Sequence, residues 1–320
     1  MPEVVGLVIP FFGLIFIGFI AARITRRPLD ALGWMNTFIV YVALPALFFQ
    51  LLARTPFEQL TEWRFIFGAV FATYIVFSIM FAASVLLSNG KIADATLKGL
   101  AAAYGNIGYM GPGLALLAFG EQAAVPVALI FCFENIIHFT VAPAMMALAG
   151  GEKSKPSDLV LSVAKRIAFH PFIIATAVGV TAAYLEFQPP LPIERLLDYL
   201  SRAAAPCALF AMGVTLALRP LNGMPVELLP IVLLKLIVHP ALVYVILSWI
   251  GNFSPVWLYS AVLLASLPTA TNVFVIAQQY GVWVERASAS VLLTTCASVA
   301  TVTGLLFMIT EGILPPDLFP

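Results

Sequence analysis

Charge is scarce in this chain. Lysine, arginine, aspartate and glutamate make up 10% of 320 residues, against about a quarter in an ordinary soluble domain. Basic and acidic residues cancel to a formal net charge of zero, which argues against nucleic acid as a partner. The three cysteines, Cys132, Cys207 and Cys296, all fall in apolar runs and read as small packing residues, not disulfide partners. Neither a His-Glu-x-x-His nor a Gly-x-Ser-x-Gly pattern occurs, so zinc proteolysis and serine hydrolysis lack their signatures. No enzyme activity, no cofactor and no metal are expected.

What is abundant is apolar surface, at 62% of residues. The apolar runs are long and continuous, which favours membrane helices over the short alternating strands of a β-barrel. Ten spans are expected, near 4–22, 33–53, 64–87, 96–119, 123–149, 166–186, 196–218, 227–250, 256–281 and 286–311. The first reads as a transmembrane helix, not a cleaved leader, because Arg23, Arg26 and Arg27 follow the apolar run. Arg23, Arg26, Arg27, Lys91, Lys98, Lys153, Lys155, Lys165, Arg166, Arg219 and Arg286 are assigned to one side, and Arg54, Arg64, Arg195 and Arg202 to the other. The positive-inside rule then places both termini outside and the connector 150–165 in the cytoplasm.

The chain also repeats itself. Pro10, Phe11, Gly18, Ala21 and Ala22 recur 161 residues later as Pro171, Phe172, Gly179, Ala182 and Ala183. Ala43, Pro45 and Phe49 recur at the same offset as Ala204, Pro206 and Phe210. Halves of five spans each, 1–149 and 166–320, must enter the membrane from opposite sides, so the repeats are expected to be inverted.

The fourth span of each half is interrupted. Gly105-Asn106-Ile107-Gly108-Tyr109-Met110-Gly111-Pro112-Gly113 breaks the first, and Ser266-Leu267-Pro268-Thr269-Ala270-Thr271-Asn272 the second. Unwound backbone at membrane depth is tolerated only where protein buries it or a polar cavity adjoins it. Paired breaks at equivalent positions point to a transporter's binding site. Half-helix N-termini favour an anion there, and Asn106 and Asn272 add amide groups. Binding is expected at Asn106, Gly108, Tyr109, Gly111, Pro112, Pro268, Thr269, Thr271 and Asn272.

Few titratable residues lie within the spans. Glu134 and His138 are four apart, as are Lys235 and His239, so each pair shares a helical face. Intramembrane ionisable groups mark ion or proton paths, so these four are candidates for coupling, with Glu134 and Lys235 close or paired. A buried structural pair is the plainer alternative.

Several of these stretches resemble the auxin efflux carrier family. Asn106 through Pro112 is similar to its fourth-helix signature, and Leu267-Pro268-Thr-Ala-Thr-Asn-Val-Phe274 with Ala277, Tyr280 and Gly281 to its ninth. Ala43-Leu-Pro45-Ala-Leu-Phe, Ala205-Pro206-Cys-Ala-Leu-Phe210 and Lys235-Leu-Ile-Val-His-Pro240 add to the likeness. The resemblance implies an all-α integral membrane fold of the sodium–proton antiporter and bile-acid symporter type, with crossing broken helices 4 and 9. Spans 1, 2, 6 and 7 would form a scaffold, often a dimer interface, and spans 3–5 and 8–10 a mobile transport domain. The short connector resembles the compact bacterial branch, for which malonate and similar organic acids are the suggested substrates. A small organic anion and the lipid bilayer are thus the expected partners, with a homodimer implied, in the cytoplasmic membrane. The rivals are a membrane sensor that keeps the fold without transport, and an intramembrane enzyme.

Overall fold

The computed structural model describes residues 2–87, 91–150, 160–161, 164–165, 168–218 and 226–319. Lys153, Lys155, Arg166, Arg219 and nearly all of the connector lie outside the described residues. The described chain is helical: α1 (Pro2–Thr25), α2 (Gly33–Phe38), α3 (Leu44–Ala53), α4 (Trp63–Leu87), α5 (Ile92–Ala103), α6 (Gly111–Phe119) and α7 (Ala124–Leu148). There follow α8 (Pro171–Tyr184), α9 (Leu191–Leu218), α10 (Leu229–Leu233), α11 (His239–Ile250), α12 (Pro255–Ser266), α13 (Thr271–Tyr280) and α14 (Val284–Thr310). A helix satisfies all its interior backbone groups within one segment, which is what so apolar a chain requires in lipid.

Among the described residues, six helical stretches are long and apolar enough to cross a membrane: Leu29–Ala53, Trp63–Leu87, Glu121–Leu148, Leu191–Leu218, Leu229–Ile250 and Val284–Thr310. The expected fourth and ninth spans are each divided into two short helices, α5 with α6 and α12 with α13. Helix α8 is 14 residues long, shorter than the 166–186 expected. Two boundaries move against the charge assignment. Helix α5 begins at Ile92, so Lys98 lies in a helix, paired with Asp94 at 2.7 Å, and not in a loop. Helix α9 begins at Leu191, which puts Arg195 and Arg202 on its first turns.

Proline punctuates the helices where it does least harm. Pro112, Pro171, Pro230 and Pro255 stand in first turns, where the missing N–H would have had no helical partner; Pro45 and Pro240 instead follow helical backbone directly. Just before α3 and α11 the helix widens to π geometry, at Ile39–Ala43 and Leu234–Val238. In both places the proline ring that follows crowds the carbonyl of the preceding turn, and an added residue in that turn relieves it.

The chain forms two compact units, cut at the first break and within α7. Unit 1 comprises Met1–Trp63, Gly108–Cys132 and Ala168–Pro220; unit 2 comprises Arg64–Ile107, Phe133–Ile167 and Leu221–Pro320.

In unit 1, α1 packs along α9 and α3 along α8. Both contacts depend on glycine. A Cβ on Gly18 would collide with the Phe210 carbonyl, and one on Gly179 would lie 3.2 Å from the Phe49 carbonyl. Gly18 and Gly179, like Phe49 and Phe210, are partners in the 161-residue repeat. Small residues let membrane helices approach to backbone contact, where dispersion replaces the hydrophobic drive that lipid does not supply. Unit 2 is built around α5, α12 and α13, whose faces toward Leu97, Leu100, Leu263 and Val273 are fully buried.

Candidate functional site

The two breaks meet within unit 2. Helix α12 ends at Ser266 because Leu267 precedes Pro268 and is pushed to extended geometry, φ −66° and ψ 151°. Helix α5 ends likewise, with Tyr104 extended at φ −75° and ψ 101°. The unwound segments then pair as a short antiparallel bridge between Gly105 and Thr269. The Asn106 N–H donates to the Pro268 carbonyl at 2.8 Å, and the Ala270 N–H to the Tyr104 carbonyl at 2.9 Å. These bonds satisfy backbone groups that two broken helices would otherwise leave bare in an apolar interior.

Side chains complete the crossing. The Thr269 hydroxyl donates to the Ala101 carbonyl at 2.7 Å, which fills an acceptor freed where α5 stops. The Thr294 hydroxyl accepts from the Thr269 N–H at 3.0 Å. Gly105 is required by space: a Cβ there would lie 3.2 Å from the Leu264 carbonyl and 3.3 Å from Lys235 Nζ. Helix α13 starts at Thr271 with alanine at its N-cap, which offers no side chain to the first N–H groups.

Asn272 is held, not free. Its Nδ2 donates to the Tyr104 hydroxyl at 2.7 Å, and that hydroxyl donates in turn to Asn135 Oδ1. The Tyr104 ring stacks on His138 with centroids 4.0 Å apart, and His138 Nδ1 lies 2.9 Å from the Tyr74 hydroxyl. His138 Nε2 is buried without a hydrogen-bond partner.

Beside the crossover runs a second network. The π-helical stretch Leu234–Val238 turns Lys235 fully inward, and His239 follows it at the start of α11. Lys235 Nζ lies 3.0 Å from His239 Nδ1 and donates to the Ala265 carbonyl at 2.5 Å. His239 Nε2 lies 2.9 Å from Thr73 Oγ1, which lies 2.6 Å from Glu134 Oε1. Lys235 and Glu134, expected as a close pair, are therefore joined through His239 and Thr73. Among the described residues no direct ion pair links them. His138 belongs with the tyrosines and not in this run.

Nine of the candidate residues thus fall in unit 2: Asn106, Pro268, Thr269, Thr271, Asn272, Glu134, His138, Lys235 and His239. Gly108, Tyr109, Gly111 and Pro112 fall in unit 1, where Gly108 faces the Phe131 ring and Gly111 and Pro112 form the buried first turn of α6. Thr73, Tyr104 and Asn135 were not singled out from the sequence. A tyrosine next to the glycine break and an asparagine next to Glu134 were available signals; Thr73 offered none.

Unwound helix ends paired through their backbone, with Lys235 buried against them, fit the class of membrane transporters. The chain belongs to the membrane transport protein family, that of the auxin efflux carriers, which matches residues 3–306. That family is one of transporters, not enzymes, and its members are multi-pass membrane proteins. A Rhizobium meliloti protein named "Putative malonate transporter" is 65% identical over 320 residues, 100% of both chains. The Oryza sativa "Probable auxin efflux carrier component 5a" is 24% identical, over 94% of this chain and 95% of its own. The Mus musculus "Lysosomal cholesterol signaling protein" is 23% identical over 90% of this chain but only 35% of its own.

Proposed function

We propose that the chain carries a small carboxylate, malonate or a close relative, across the cytoplasmic membrane as a secondary transporter. The observation that carries this reading is the crossover with Lys235 pressed against it, because a buried ammonium beside unwound backbone suits an anion. The uncapped N-terminus of α13 adds donors of the same sign. The full-length likeness to a protein named for malonate transport supports the substrate class.

The finer expectations fit the same reading. The matched contacts of Gly18 with Phe210 and Gly179 with Phe49 support a repeat; ten spans and the inversion of the repeats rest on the apolar pattern of the sequence. Elevator-like alternation, a homodimer and external termini follow from the family resemblance and the charge pattern. Of the binding residues, Thr269 lies in the pairing of the two breaks and with Asn272 holds the crossover's shape, and Asn106 and Pro268 flank the pairing through their backbone bond.

The test is thermal unfolding of the purified protein against malonate and a panel of related acids. A ligand of the folded state raises the midpoint, by about 2.7 kcal/mol of stabilisation at a hundredfold excess over Kd. Malonate is expected to shift the wild type and to lose its shift in Asn106→Ala. A shift with amines and none with carboxylates would overturn the anion reading.

A further inference from the structure

The run from Lys235 to Glu134 has a direction that its atoms dictate. A hydroxyl holds one proton, a neutral imidazole one, and every bond needs a donor and an acceptor. An ammonium at Lys235 must donate to His239 Nδ1, which puts the imidazole proton on Nε2. His239 Nε2 then donates to Thr73, and the Thr73 proton goes to the Glu134 carboxylate at 2.6 Å. In this state the cluster is neutral overall, the condition under which buried charges are tolerated.

Thr73 has a second acceptor, the Ala69 carbonyl at 3.1 Å. A proton added to Glu134 makes that carboxyl a donor to Thr73 Oγ1. The hydroxyl oxygen accepts it on its second lone pair, still accepts from His239, and turns its own proton to Ala69. No heavy atom moves and no donor faces another donor. The cluster now carries one positive charge, which a buried site tolerates only beside an anion. Lys235 has a donor for one: two of its three N–H groups serve His239 and Ala265, and its Nζ abuts Gly105 at the crossover.

We propose that Glu134 takes up a proton as the anion binds, with the Thr73 hydroxyl as the switch between the two loads. This rests on the transporter reading above and makes it proton-coupled, with the one proton on Glu134 balancing a monoanion such as hydrogen malonate, so that the buried site stays neutral. The titratable groups around Glu134 are Tyr74 on α4, Tyr104 at the crossover, His138 on its own helix, and Lys235 and His239. The tyrosine hydroxyls are engaged with His138, Asn135 and Asn272. Glu134 is the one carboxyl of the set.

The full chain in liposomes loaded with a pH-sensitive dye tests this. With malonate imposed outside, internal pH and labelled malonate are followed together, against empty liposomes. The wild type is expected to acidify the lumen as malonate enters. The ratio of acidification to malonate entry should persist in Thr73→Ser and be lost in Thr73→Val and Glu134→Gln, whatever rate each retains. Malonate entry without acidification, or an unchanged ratio in Glu134→Gln, overturns the proposal while leaving the transporter standing. If the wild type admits no malonate, the substrate reading fails on its own. Infrared difference spectra on acidifying the purified protein with each acid of the panel present then decide: a protonated-carboxyl band absent from Glu134→Gln supports the proton site, and no such band with any of them overturns it.

Discussion

Lys235→Met is expected to destabilise the folded protein by about 3–5 kcal/mol, the scale for removing one partner of a buried ion pair. The methionine fills the space but leaves His239 Nδ1 and the Ala265 carbonyl without their donor. It also leaves Glu134 as an uncompensated buried charge at the far end of the run. On the proposed reading malonate binding should fall with it, since the ammonium that abuts Gly105 is gone. The double variant Lys235→Met/Glu134→Gln separates the two effects. Replacing both charges removes the imbalance, so stability should return most of the way while malonate binding stays lost. Thermal unfolding of the two single variants and the double gives the coupling energy. Purely additive losses would show that Thr73 and His239 do not connect the two ends.

The second large effect belongs to unit 1. Gly213→Val should cost about 1–3 kcal/mol or more, because the added atoms meet backbone and not a side chain that can turn aside. A Cβ on Gly213 would strike the Ile15 carbonyl and lie 2.9 Å from the Phe19 nitrogen. Helices α1 and α9 would have to part along their whole contact, which Gly18 shares from the opposite side. Gly304→Ala is the control. It also lies inside a helix, but nothing stands within 4 Å of its Cβ position, so helix propensity alone should raise stability by up to about 1 kcal/mol. Unfolding midpoints of opposite sign for the two changes are expected. Equal tolerance of both would mean that the α1–α9 contact is looser than drawn.

How far the sequence could be read follows from which signals are local. Both helix breaks were legible because glycine and the residue before proline are local signals, and Gly105 and Leu267 lie within two residues of where the helices end. The inward placement of Glu134, His138, Lys235 and His239 was legible because a charge in an apolar run has few other places to go. Their wiring was not. Thr73 looks like any membrane threonine bonding to the carbonyl four residues back, and it does make that contact, with Ala69. Its bonds to Glu134 and His239 depend on three helices meeting, which no periodicity records. Asn272 looked like a free amide, yet the fold commits it to Tyr104, 168 positions away. The start of α5 was misplaced because Asp94 and Lys98 suggest a loop; their ion pair instead supports a helical turn.

The bridge between Gly105 and Thr269 also bears on how the chain is made. Tyr104 and Asn106 are synthesised and inserted long before Ala270 and Pro268 exist to pair with them. Until then the Asn106 N–H and the Tyr104 carbonyl lack these partners, so the first half made alone is expected to accumulate poorly. Expressed as two pieces divided in the connector, the halves should accumulate together and not singly. The crossover can therefore close only after residues 268–270 have been made, late in synthesis.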